Sequence, residues 1–191
     1  TTGKHLTQII KAVCAEKGYG KWKDQILPPK SDFEKAQTIC RSFLIEFFSK
    51  IDAYKHALNN DPSEIPELRS KDSTKKWGLL FKPMPQVALA EAILYLKEES
   101  DMDVNAIYRE INKIDWSWKS GSQFEGMVIT SDGTILTGSK IQKRLTSMII
   151  YWILGRPKFL KLLGEKELQK LDKDYKSTTK NKTEFPSVVR K

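Results

Sequence analysis

The stretch Asp115–Gly155, DWSWKSGSQFEGMVITSDGTILTGSKIQKRLTSMIIYWILG, changes its hydrophobic period halfway, and the fold is read outward from that change. Before Gly138, residues Phe124, Met127 and Ile129 stand on one side, Ser131-Asp132-Gly133 supplies a turn, and Thr134, Ile135 and Leu136 return. This pattern predicts one small β-hairpin, about residues 123–137. After Gly138 the spacing becomes helical, with Ser139 as N-cap and Ile141, Leu145, Met148, Ile149, Trp152 and Ile153 on an apolar face. Lys140, Lys143 and Arg144 fall in the first turns of that helix, where its dipole repels cations by a few tenths of a kcal/mol each. A polyanion nearby would offset the repulsion. The plainer reading is a solvated helix start beside a core helix.

Upstream, the clearest helix runs from Asp32 to Leu58. Phe33, Ala36, Cys40, Phe43, Phe47, Ile51, Tyr54 and Leu58 advance by three or four at each step, and Ser31 with Glu34 forms a capping box. If continuous, it is about 40 Å long and serves as a spine. Leu6–Ala15 carries helical spacing and is stopped by Gly18-Tyr19-Gly20, and Lys21–Lys30, with Pro28-Pro29, is an irregular connection. A short helix is expected over Ser63–Arg69, and a buried loop or short strand at Trp77–Phe81. Further helices are expected over Pro85–Glu99, from an Asp103 cap through Ile114, and over Pro157–Lys176. The expectation is thus a mainly α protein: a helix-rich domain over 1–156 with one hairpin before a basic helix, a helical extension over 157–176, and a basic flexible tail over 177–191. Thr1, standing where an initiator Met is absent, is read as the start of a fragment of a longer protein.

Composition narrows the function classes. A chain of 191 residues with 39% hydrophobic and 10% aromatic content buries a real core. No apolar run approaches the roughly 18 residues that a membrane span needs, so no membrane partner is expected. Cys14 and Cys40 fall on apolar helix phases and are read as buried free thiols of a cytoplasmic protein. His5 and His56 have no companion at metal-ligand spacing, so neither metal nor cofactor is expected. No phosphate-binding Gly-x-x-x-x-Gly-Lys occurs, and Gly138-Ser139-Lys140 is a faint echo of anion binding at a helix N-terminus. Acidic pairs such as Glu98-Glu99 and Asp172/Asp174 lie on polar faces. With no nucleophile–base pair at any suggestive spacing, the reading leans away from catalysis.

The charge is unevenly placed. From Gly138 onward there are 14 Lys and Arg against five Asp and Glu, which accounts for the whole net charge of +9. Such asymmetry points to nucleic acid or another polyanion, with a solubilising Lys-rich end as the alternative. The candidate contacts are Lys140, Lys143, Arg144, Arg156, Lys158 and Lys161, which would position DNA by its phosphates without reading its bases. Trp116 and Trp118 either stack on bases or close the core beneath the hairpin, the second being favoured. A different class stays open: a protein–protein interaction module whose long aromatic helix docks the N-terminal region of the same protein or another subunit.

Ile114-Asp115-Trp116, Phe124-Glu125-Gly126, Asp132-Gly133-Thr134-Ile135 and the helix from Lys140 to Gly155, with Lys75-Lys76-Trp77 before another helix, resemble the C-terminal part of DGQHR-domain proteins. That group includes the DndB-type proteins of DNA phosphorothioation (DNA sulfur modification). The resemblance covers about residues 30–156. The Asp-Gly-Gln-His-Arg signature itself does not occur, so no activity tied to it transfers to a residue here. The resemblance implies a cytoplasmic prokaryotic protein tied to DNA modification or defence, and in some members to transcriptional control of that system.

Overall fold

Apolar residues spaced by three and four decide most of the elements, because that spacing gives a helix one face to bury. The computed structural model of the protein describes residues 2–19, 29–71, 75–119 and 121–178. In these it is mainly helical: α1 (Thr2–Glu16), α2 (Lys30–Lys50), α3 (Asp52–Asn59), a 3-10 turn (Pro62–Glu64) running into the single turn α4 (Ile65–Leu68), a second 3-10 turn (Gly78–Phe81), α5 (Pro83–Glu99), α6 (Val104–Lys113) and α7 (Ser139–Thr178).

Helix α5 is the axis. Val87, Ala88, Leu89, Ala90, Ala92, Ile93, Leu94 and Leu96 are all buried, so it is covered on nearly every side, as a central helix must be. Alanines at 88, 90 and 92 let its neighbours close in. Helix α1 packs on one side and joins its end to that of α5 through the Lys17–Glu98 ion pair. Helix α7 packs on another, where Glu91 accepts from Gln142 Nε2 at 2.7 Å and Thr146 Oγ1 at 3.0 Å. Asp103 caps α6 as expected, accepting from the Ala106 N–H at 3.1 Å.

The expected helix from Asp32 to Leu58 is two helices. It breaks at Ile51 (φ −89°, ψ 115°), whose side chain is fully buried. Asn112 of α6 accepts from the Asp52 N–H at 3.0 Å and donates to the Lys50 carbonyl at 2.9 Å, meeting backbone groups that the break releases. The capping box does not form either. The helix starts at Lys30, after Pro29 and with no side-chain cap, which places Ser31 inside the first turn.

The expected hairpin is likewise absent as paired strands. The Phe124 carbonyl accepts from the N–H groups of Met127, Val128 and Ile129, so the first arm is coiled rather than extended. What remains is an isolated antiparallel bridge between Ile129 and Ile135, closed by Leu136 N–H to the Val128 carbonyl at 2.8 Å. The reason lies in burial. Phe124, Met127, Val128 and Ile129 are all fully buried, and an extended strand would have pointed alternate residues outward. The turn at Gly133 (φ 83°) does form as expected.

Helix α7 is interrupted at Gly155 (φ 71°, ψ 165°) and Gly164 (φ 78°, ψ 168°), backbone conformations essentially restricted to glycine. Its three segments, 139–154, 156–163 and 165–178, fold back so that the last runs antiparallel to the first. Tyr151 meets Phe159, Ser147 meets Glu167, and Arg144 meets Asp174. Phe159, Leu168, Leu171 and Tyr175 join the main core, so the extension expected over 157–176 is part of the same packed body. Gly138 (φ 112°), rather than Ser139, precedes the first turn, and its carbonyl accepts from the Gln142 N–H. The irregular connection expected over Lys21–Lys30 lies mostly outside the described residues, as does nearly all of the expected tail.

Candidate nucleic-acid interface

The six cations picked out from the sequence separate into three kinds of environment. Lys140 and Lys143 are exposed on the first turns of α7, and Arg156, Lys158 and Lys161 are exposed around and beyond the Gly155 break. None of these five has an ion-pair partner among the described residues. Arg144 differs. It is buried, its Nε donates to Asp174 Oδ2 at 3.3 Å and an Nη donates to the Met127 carbonyl at 3.3 Å. The expectation that Arg144 contacts phosphate is therefore corrected. Its guanidinium is committed to holding the returning segment and the 124–136 loop against the first segment of α7.

The remaining five form two groups. Lys143 and Arg156 stand 13 residues apart along α7, about 20 Å at 1.5 Å per residue. The Lys140–Lys143 group borders a cleft of about 270 Å³ that also includes Ser139, Lys170, Glu167 and Asp174. Its carboxylates are already engaged: Glu167 accepts from Ser147 at 3.1 Å and pairs with Lys170 at 3.3 Å, while Asp174 holds Arg144. The unneutralised charge in the cleft is thus that of Lys140 and Lys143. Lys170 reaches this cleft only because the chain folds back at Gly155 and Gly164. No local signal other than the two glycines marks that placement in the sequence.

The tryptophans part company. Trp116 is fully buried, stacked on Phe124 with ring centres 5.6 Å apart, and donates its indole N–H to the Ile111 carbonyl at 3.1 Å. Phe124 in turn meets Trp152 edge-on at 5.3 Å. Base stacking by Trp116 is therefore ruled out, in favour of the core role. Trp118 is partly buried, and Lys82 Nζ lies over its ring at 4.3 Å from the centre.

A larger cavity of about 430 Å³ between α1, α5 and α7 is lined by Ala12, Leu94, Tyr95, Ile150 and Leu163, with Glu91 and Glu167 at its polar side. The hydroxyls there, Thr146 and Ser147, donate to carboxylates. His56 is occupied elsewhere, by Glu64 at 3.1 Å and the Trp77 ring. Among the described residues, no group of three His, Cys, Asp or Glu could hold a metal ion, and no helix is long and apolar enough to cross a membrane. Cys14 and Cys40 are buried free thiols with their Sγ atoms 3.6 Å apart. Burial, then the neighbouring Cys14, pushes the Cys40 thiol up to about 12.

No protein-family model matches the chain, and neither a curated protein nor a solved structure is similar to it.

Proposed function

We propose that this protein binds DNA without acting on it chemically, through Lys140, Lys143, Arg156, Lys158 and Lys161. In this reading it is a cytoplasmic accessory or regulatory component of a DNA phosphorothioation or related defence system. The observation that carries the DNA reading is the exposure of five cations on α7, none with an ion-pair partner among the described residues. The link to DNA sulfur modification rests on the resemblance of the Ile114–Gly155 motifs alone. Lys143 and Arg156 are about 20 Å apart along the helix, or about six phosphates at 3.4 Å per step along one strand, a distance a duplex can bridge. Phosphate contacts of this kind fix register and carry no base readout.

A salt titration of binding to a short generic duplex tests this. Five neutralised phosphates give a log–log slope of about −4.5. Lys140 and Lys143 changed together to Ala should flatten it by about 2, and Arg156, Lys158 and Lys161 together by about 3. Binding that ignores salt, or that survives both sets of changes, would sink the proposal. Repeating the titration with a phosphorothioate duplex separates general DNA binding from recognition of the modification.

A second reading, docking of a protein partner, has one observation behind it: Phe33, Ile45 and Leu58 are exposed by 52%, 60% and 70%. Phe33 and Ile45, 12 residues apart on α2, are separated by about 18 Å along the helix. Such isolated apolar points are ordinary on a protein surface and do not make a patch. The DNA reading is the stronger.

A further inference from the structure

A second concentration of unpaired cations lies outside α7, at the start of α5. Lys82, the residue before α5, is half-buried with its ammonium over the Trp118 ring. Trp118 is wedged against Gly78, where an added Cβ would lie 2.8 Å from the indole Nε1 and 2.4 Å from the Ser70 carbonyl. The same close approach sets the chain just past α4, at Ser70 and its neighbour Arg69, against Gly78 and the Trp118 ring that carries Lys82. Two backbone bonds fix the arrangement: Trp116 N–H to the Lys76 carbonyl and Leu79 N–H to the Trp116 carbonyl, both 2.9 Å. Exposed Lys119 follows Trp118 directly.

Lys76 next to this group is neutralised by Asp115 at 3.2 Å. Arg69, Lys82 and Lys119 have no carboxylate partner among the described residues. Burial, and then the charge of Arg69, holds the Lys82 ammonium below the ordinary lysine range. Among the described residues no carboxylate stands between these two cations to relieve their repulsion, and the Gly78 wedge holds the chain segments that carry them together.

We propose that Arg69 and Lys82, flanked by Lys119, form an anion site whose ligand is a phosphate group. A free phosphate dianion neutralises both cations and offers oxygens to the guanidinium fork and the ammonium together, whereas a carboxylate neutralises one; a nucleic acid matches this with two successive backbone phosphodiesters of one charge each. The site also lies at a significant end of the fold. Glu91 meets Gln142 and Thr146, and Leu94 and Tyr95 share a cavity with Ser147 and Ile150, so α5 and the first segment of α7 run parallel. Lys82 therefore sits at the same end of the helices as Lys140 and Lys143. The phosphate is free in solution or belongs to a nucleic acid, and the site stands on its own geometry in either case.

The test follows the five tryptophan indole N–H signals by ¹⁵N–¹H NMR, with Trp118→Phe identifying the relevant peak. Inorganic phosphate, a short DNA duplex and acetate are titrated separately at constant ionic strength. The expected result is a saturable shift of the Trp118 signal with phosphate or duplex and none with acetate. Affinity should be about tenfold weaker in Arg69→Gln and in Lys82→Met, the latter keeping the stem packed on the ring. A shift with inorganic phosphate identifies a site for the free ion, and one with duplex alone assigns the phosphate to nucleic acid. No shift with either, an equal shift with acetate, or a shift unchanged in both variants overturns the site. Failure of DNA binding by α7 would leave the inorganic-phosphate response intact, so the two proposals fail separately.

Discussion

Replacing Arg144 by Met separates a structural role from a DNA-binding one. The substitution removes the guanidinium and keeps an apolar stem in a position whose side chain is only 5% exposed. Two interactions are lost, to Asp174 and to the Met127 carbonyl, each 3.3 Å long and neither the short bidentate fork of a strong Arg–carboxylate pair. Leaving the buried Met127 carbonyl unpaired costs about 1–2 kcal/mol. Asp174 is 21% exposed and regains water, so abandoning it adds about 1 kcal/mol rather than the 3–5 of a fully buried charge. The expected loss is about 2–3 kcal/mol. With a urea dependence of about 2 kcal/mol per M for a chain of this size, the midpoint falls by roughly 1–1.5 M. Urea unfolding followed by tryptophan fluorescence reads this directly, beside a DNA salt titration on the same variant. If Arg144→Met keeps its stability within about 0.5 kcal/mol and loses DNA affinity as the Lys140/Lys143 double variant does, the structural assignment is wrong.

Four further outcomes are expected. Gly155→Ala meets open space yet forces Ala into a φ of +71° with ψ 165°, so it should destabilise by about 1–3 kcal/mol. Gly78→Ala should do so by collision with the Ser70 carbonyl and Trp118; calorimetry should show both variants destabilised, and tryptophan fluorescence of the folded protein should be perturbed in the second alone. Cys40, its thiol pushed up to about 12 by burial, stays protonated at pH 8. Modification of Cys40 by a thiol reagent should therefore be slow in the native protein and fast in urea, and equal rates would show the pair to be open to solvent. Burial pushes the Asp115 and Glu46 carboxyls up. Hydrogen bonds from Ser117 and Lys76 to Asp115, and from Lys97 and Lys50 to Glu46, outweigh it and hold both below the usual carboxylate range. A depressed folded pKa stabilises above the unfolded value and is lost as pH falls through the folded one, so melting temperature should drop below about pH 4. Asp115→Asn should make that acid limb shallower, and an unchanged limb would count against the assignment.

Some of this architecture was legible in the sequence because its causes are local. The apolar spacing at Ala36, Cys40, Phe43 and Phe47 allows one helix with one buried face, and that is how α2 packs. Asp103 caps α6 because a carboxylate three residues before an N–H needs nothing distant. Gly155 ends the first segment of α7, as the expected helix limit had it, because glycine is the residue that tolerates its backbone angles. The placement of five of the six candidate cations on the surface also follows from local pattern, since they fall off the apolar face.

What the sequence could not contain was the identity of partners far along the chain. Nothing between Asp32 and Leu58 forbids one continuous helix. The break at Ile51 is decided by Asn112, some 60 residues later, which meets the backbone groups that the break exposes. The segment from Phe124 to Ile129 has strand-like composition, but a cavity shaped by Trp116 and Trp152 takes in four of its side chains and coils it. Arg144 resembles its neighbours Lys140 and Lys143 until Asp174 arrives opposite it through two glycine turns. By itself, then, the sequence determined where helices form and how the net charge is distributed, because periodicity and composition are properties of neighbours. Only the tertiary structure decided which helices break, which aromatic rings are inside and which cations are free, because those depend on what packs against them.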